Sequence, residues 1–223
     1  NQPRMLSVAG ANTIPATAKA ITGNLTVVGQ TRAGYLSITT TSQPNPTTSI
    51  LNFPLGDTRA NGVTVPLNAT GDIYIVYKAS GGTSHVILDV TGYFLDGSTG
   101  LTFVPVGPNR VLDTRPGITI GMSGTFNANV SRSWDVAGKA GVSNDALAVV
   151  GNVTVVGQTK AGYVSLTPTA ELNPTTSTLN FPVGDTRANN FTVKLATNGF
   201  LHGIYKASSG STHLIMDVTG YYK

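Results

Sequence analysis

Few residues in this chain could do chemistry. The most regular are three Asp-Thr-Arg triplets, at Asp57 to Arg59, Asp113 to Arg115 and Asp185 to Arg187. Residues i and i+2 share one face of a strand, so each Asp can meet its own Arg. Asp89 and Asp217, inside otherwise apolar stretches, are further carboxylates for an arginine, and Arg110 stands just ahead of Asp113. Two chemistries fit. One is an acidic site for a cation or a sugar. The other is a partly buried Arg–carboxylate network that fixes loops. Buried charge requires a partner, and only 11% of the residues are charged. Recurrence of the same charges at equivalent places therefore points to a structural polar network of Asp57, Arg59, Asp89, Arg110, Asp113, Arg115, Asp185, Arg187 and Asp217.

Catalysis finds little support. His85 and His213 each precede an Asp by four residues, on the same strand face but about 13 Å along it, too far for a dyad. His202 has no histidine counterpart. Glu171 is the only Glu, which removes the paired-Glu arrangement of many hydrolases. There is no Gly-x-Ser-x-Gly elbow, His-Glu-x-x-His motif, phosphate loop or EF-hand spacing. Cysteine is absent, and with it thiol chemistry, disulfides and Cys-based metal sites. No catalytic residue, metal or cofactor is expected, and the chain reads as a non-enzyme.

The elements that must position the triplets come from a duplication. Gly23 to Tyr35 reappears as Gly151 to Tyr163, an offset of 128. The match runs without a gap from Asn1/Asn129 to Leu95/Lys223, and more than half of the aligned pairs are identical. The second copy has an extra opening piece, roughly Gly100 to Asn127, which carries Arg110-Val-Leu-Asp-Thr-Arg115. The first copy has no equivalent within the chain: either it is complete without that piece, or the chain is a fragment, or another segment fills the gap. Two units follow: residues 1–96, an incomplete copy, and 97–223, a complete one.

Periodicity favours strands. In Ser84 to Tyr93, Val86, Leu88 and Val90 fall on one face, and His85, Ile87, Asp89 and Thr91 on the other. Asp72 to Lys78 is a β-branched and aromatic run, and Ala79 to Thr83 reads as a hairpin turn between the two. Asn24 to Val28 and Tyr35 to Thr39 read as a second hairpin around Gly29 to Gly34. Gly62 to Leu67 is a strand that Pro66 places at an edge. Asn45-Pro-Thr-Thr-Ser49 and its copy at Asn173 are turns. Trp134 stands where the first copy has Leu6, a core or interface position. The only helix-like stretch is Asn144 to Val149. The expected fold is all-β: two tandem homologous β-sandwich-like units of seven to nine strands, the first lacking its N-terminal strands.

The net charge is +4 and the pI about 9.4. Lys and Arg are scattered singly, which argues against nucleic acid. No apolar run approaches the length of a membrane span. Many Thr, Ser, Asn and Gly with few charges suit an extracellular or cell-surface protein. The chain starts at Asn1 rather than Met, as a processed form or a fragment would.

Three stretches resemble a recurrent domain of secreted surface proteins of actinobacteria and Chloroflexi: Arg110-Val-Leu-Asp-Thr-Arg115, Gly184-Asp-Thr-Arg-Ala-Asn189 and Asp217-Val-Thr-Gly-Tyr-Tyr222. The resemblance covers nearly the whole chain. It implies a cell-surface or appendage location and tandem arrangement, and supplies no catalytic residue. The first copy departs from it by lacking the Arg-(Leu/Val)-Leu-Asp-Thr-Arg segment.

A sandwich short of strands exposes an edge, and an open edge is a template for another strand. The expected function is therefore structural: a subunit of a bacterial surface filament, stalk or layer, with copies of itself as partner, joined head to tail or edge to edge. The alternative is a carbohydrate-binding adhesin module that takes surface glycans through Asn, Asp and Tyr on loops, with or without calcium.

Overall fold

β-branched and aromatic residues alternate with Thr, Ser and Asn over much of the chain, the pattern of half-buried strands. The computed structural model is accordingly all-β, with no helix among the described residues, 1–97 and 99–223. The chain folds as two units, Asn1–Gly100 and Leu101–Lys223. The first unit holds β1 (Arg4–Ser7), β2 (Ala20–Val28), β3 (Gly34–Thr39), β4 (Leu51–Phe53), β5 (Arg59–Pro66), β6 (Asp72–Lys78) and β7 (His85–Phe94). They form two antiparallel sheets, β5-β2-β7 and β1-β6-β3-β4. Ile21, Leu25 and Val27 of β2 pack against Leu36, Phe53 and Ile73 of the other sheet to make one core.

The second unit holds β8 (Phe103–Asp113), β9 (Phe126–Asn127), β10 (Ser131–Asp135), β11 (Ala148–Val156), β12 (Gly162–Thr167), β13 (Leu179–Phe181), β14 (Arg187–Lys194), β15 (Phe200–Lys206) and β16 (Ser211–Tyr222). Its sheets are β14-β11-β16-β8, with β9 also on β16, and β10-β15-β12-β13. Seven of these strands repeat β1–β7 in order and in pairing. The additions are β8 and β9, both on the flank of β16.

The repeat extends to irregularities. The β2–β7 ladder slips between Thr22 and Gly23, and the β11–β16 ladder between Val150 and Gly151. A Cβ on Gly23 would strike the carbonyl oxygen of Asp89, and one on Gly151 that of Asp217. Only glycine admits so close an approach of two backbones.

Both expected hairpins are corrected. β2 and β3 lie in different sheets, as do β6 and β7, so residues 29–34 and 79–84 are arches across the end of the sandwich. Alternation marks which face of a strand is apolar, and a strand's neighbour along the sheet reads the same as one facing it across the core. The two arches are tied together: Thr31 N donates to Thr83 O (2.9 Å), and Thr83 N to Thr31 Oγ1 (2.8 Å). The helix-like stretch at Asn144 is turn leading into β11. β5 is an outer strand ending at Pro66, as the proline requires. Trp134 is buried over Gly203, where a Cβ would meet its ring at 2.9 Å. The first unit has Leu6 and Ile75 at these two places, so the volume is redistributed.

Candidate functional site

Eight of the nine arginines and aspartates singled out in the sequence form three separate groups, and Asp89 belongs to none of them. The largest lies in the second unit. Arg110, on β8, donates from Nε to Asp217 Oδ1 (2.9 Å) and from Nη2 to Asp217 Oδ2 (3.2 Å). Its Nη1 reaches Asp113 Oδ2 (3.0 Å). Arg115 folds back on Asp113, with Nε to Oδ1 at 3.0 Å and Nη2 to Oδ2 at 2.7 Å. The Arg115 backbone N–H adds a third donor at 3.2 Å. The Asp113 side chain is out of solvent. The Arg115 hydrogen bonds outweigh the cost of burial, and the charges of Arg115 and Arg110 act with them; the Asp113 carboxyl is held down to about 2. Arg110 is raised, first by its hydrogen bond to Asp217. A carboxylate saturated by guanidiniums has no proton to give or take near neutrality, so this cluster binds strands together and is no acid–base pair.

The other two groups are local pairs at strand entries. Arg59 donates to Asp57 Oδ2 from Nε (3.1 Å) and Nη2 (2.7 Å), and from Nη1 to Asn52 O (3.2 Å). Arg187 does the same to Asp185 (2.9 and 2.5 Å) and Asn180 O (3.1 Å). Each pair ties the outer strand β5 or β14 of one sheet to β4 or β13 of the other. Asp89 lies on β7 at the position of Asp217.

Sequence reasoning passed over Gln30 and Gln158. Gln30 Nε2 donates to Pro54 O (3.0 Å) and Asp57 O (2.5 Å), and Gln158 Nε2 to Pro182 O (3.1 Å) and Asp185 O. They clamp the Gly-Asp-Thr-Arg loops, and their signal was the repeated Gly-Gln-Thr. Arg132 was also passed over. It caps residues 123–125 by donating to Ser123 O (2.6 Å), Gly124 O (2.6 Å) and Thr125 O (2.8 Å). Its guanidinium sits 5.1 Å from the Phe126 ring centroid.

The feature that differs between the units is the flank of β16. There β8 runs antiparallel with Leu112 opposite Met216, Arg110 opposite Asp217, Pro105 opposite Gly220 and Val104 opposite Tyr221. Phe103 covers Gly220 and tilts against Tyr222 with ring centroids 5.3 Å apart. Phe126 is fully buried and meets Trp134 edge-on at 5.9 Å. His213 Nδ1 lies 2.8 Å from Thr114 O, and Leu214 N donates to Thr114 Oγ1 at 3.0 Å.

On β7 this flank is open: among the described residues no strand pairs its outer side. Ile87 is 46% exposed where Ile215 is 7%, Tyr93 43% where Tyr221 is 6%, and Leu6 40% where Trp134 is 2%. Arg4, the counterpart of Arg132, lies exposed on β1. The other outer strands are blunted as edges usually are. β4 and β13 are three residues long and β1 four. β5 ends in Pro66, β14 in Lys194, and β10 carries Arg132. β8 contains Pro105 and Pro108, and its pairing slips twice. β7 is ten residues long with no Pro, Lys or Arg.

Among the described residues no three His, Asp or Glu side chains gather as metal ligands would. A shallow depression in the first unit, lined by Ile38, Thr39, Thr40, Thr41, Gln43, Val65 and Pro66, holds no titratable side chain. Among the described residues no helix is long and apolar enough to cross a membrane. No protein-family model, curated protein or solved structure matches this chain.

Proposed function

We propose that this chain is a structural extracellular protein, a subunit of a bacterial surface filament, stalk or layer, whose subunits join through β-strand edges, with β7 of the first unit as the joining edge. The observation that carries the reading is the contrast between β7 and β16. Ile87 and Tyr93 are exposed on a long, unguarded edge, and the equivalent Ile215 and Tyr221 are covered by an added strand. An edge of that kind pairs with whatever strand is offered, and a contact between unlike surfaces propagates into a filament wherever its rotation does not close a ring. The low charge and the resemblance to secreted surface domains support the surface location, and the duplicated unit suits a tandem assembly. The chemistry of the Asp113 cluster supports a role other than catalysis.

The test is assembly of the wild-type protein and of an Ile87→Lys/Tyr93→Lys double variant, by sedimentation velocity and negative-stain microscopy. The wild type is expected to associate with rising concentration into fibres or arrays, and the variant to stay monomeric with an unchanged circular dichroism spectrum. A wild type that stays monomeric at every concentration, or a variant that assembles as well as the wild type, overturns the reading.

A further inference from the structure

The identity of β7 as the joining edge leaves open what lies on it, and the second unit supplies a template. Its β16 flank is covered by residues 101–127, and every β16 residue paired with this segment has an identical or like-natured counterpart in the first unit, while Lys223, paired with Thr102, has Leu95. Ile87, Asp89, Gly92 and Tyr93 repeat Ile215, Asp217, Gly220 and Tyr221, and Arg4 repeats Arg132. Leu88 replaces Met216 and Leu6 replaces Trp134, both still apolar. The first unit thus keeps a complementary surface for a segment of which this chain has one copy.

We propose that the β7 edge of the first unit is a receptor for one added segment with the residue pattern of 103–126: an aromatic, an Arg-x-Leu-Asp-Thr-Arg run on a strand paired to β7, and a second aromatic after a loop. The proposal rests on the reading of β7 as the joining edge. The register carries over from the β8–β16 pairing. The donor arginine falls opposite Asp89, as Arg110 falls opposite Asp217. The donor leucine falls opposite Leu88 and closes the core beside β7. The first donor aromatic lies over Gly92, as Phe103 lies over Gly220. The second reaches Leu6, as Phe126 reaches Trp134, and Arg4 caps the carbonyls ahead of it.

Within residues 1–223 the one such segment, residues 101–127, is held by the second unit. Copies that pair β7 to β7 would satisfy backbone groups only, without an inserted leucine or aromatic.

The probe is a synthetic peptide of residues 101–127, labelled at its N-terminus, titrated into the full chain and followed by fluorescence anisotropy and by hydrogen exchange. One peptide is expected to bind per chain, to protect the β7 amides while leaving exchange of β16 unchanged, and to disperse wild-type assemblies. A Leu112→Asp change in the peptide is expected to abolish binding with the protein untouched. An Asp89→Asn change in the chain is expected to weaken it about tenfold, through loss of a charge-assisted pair. A peptide that does not bind, binds equally well with Leu112→Asp, or protects β16 alone overturns the proposal. If the wild type assembles but ignores the peptide, the donated strand fails and the joining edge stands. If the chain neither assembles nor binds, both fail.

Discussion

Asp113 accepts hydrogen bonds from two guanidiniums while its side chain is out of solvent, and this decides how the second unit answers to acid. Its carboxyl titrates near 3.8 in the unfolded chain and near 2 in the folded one. A folded value below the unfolded one stabilises the fold at pH above about 4, and that contribution is lost as pH falls from about 4 through 2. Trp134 is the only tryptophan and lies in the second unit, so its emission follows this unit alone. Asp113→Asn is expected to lower the second unit's stability at neutral pH by about 2–4 kcal/mol, because both arginines lose a charged acceptor. It is also expected to flatten the decline between pH 4 and 2. Tryptophan-detected denaturant curves across that range check both outcomes. A second residue-scale test is Gly220→Ala. Its Cβ would enter the Phe103 ring and come to 3.1 Å from Val104 O, and overpacking of this kind costs about 1–3 kcal/mol. At Gly92 nothing but the Thr22 methyl lies within reach, at 3.0 Å. Gly92→Ala is thus expected to cost less in stability, a difference that paired melting curves measure.

At the scale of elements, one sheet flank behaves in two ways. Leu112 is fully buried where β8 lies on β16, so Leu112→Ala is expected to destabilise the second unit by about 2–5 kcal/mol. Ile87→Lys, at an exposed position of β7, is expected to leave the first unit's stability within about 0.5 kcal/mol while reducing association. Urea titrations read by tryptophan emission and by circular dichroism separate the two. The sequence made much of this legible. The offset of 128 exposed the duplication, the alternation in Ser84 to Tyr93 assigned Val86, Leu88 and Val90 to the inside, and Pro66 marked an outer strand. Strand partners were not legible: residues 29–34 and 79–84 looked like hairpin turns and proved to be arches between sheets. Periodicity carries the facing of a strand but says nothing of whether the next strand lies beside it or across the core. The Asp-Thr-Arg triplets showed the same limit. Identical spacing gave local pairs at Asp57 and Asp185, but at Asp113 a cluster that also takes in Arg110 and Asp217, because only there does an added strand bring a second arginine alongside. Gln30 and Gln158 escaped notice since an amide that clamps carbonyls has no spacing rule.

At the scale of the whole molecule, the two units share a plan but not a core size. Among the described residues the buried apolar cluster of the first unit has 12 members and that of the second 23. Stability rises with buried apolar surface, so the first unit is expected to melt at least about 5 °C below the second. The lower transition would appear by circular dichroism and be silent to tryptophan emission. Whatever occupies β7 binds only the folded first unit, so it should raise the lower transition and leave the upper one in place. The most direct test of the open edge is residue-resolved hydrogen exchange of β7, first in the dilute monomer and then in the assembled protein. The outward amide groups between His85 and Phe94 are expected to exchange freely in the monomer, far faster than their β16 counterparts, and to become protected on assembly. Protection in the monomer equal to that of β16, or free exchange that persists in the assembly, would contradict the account.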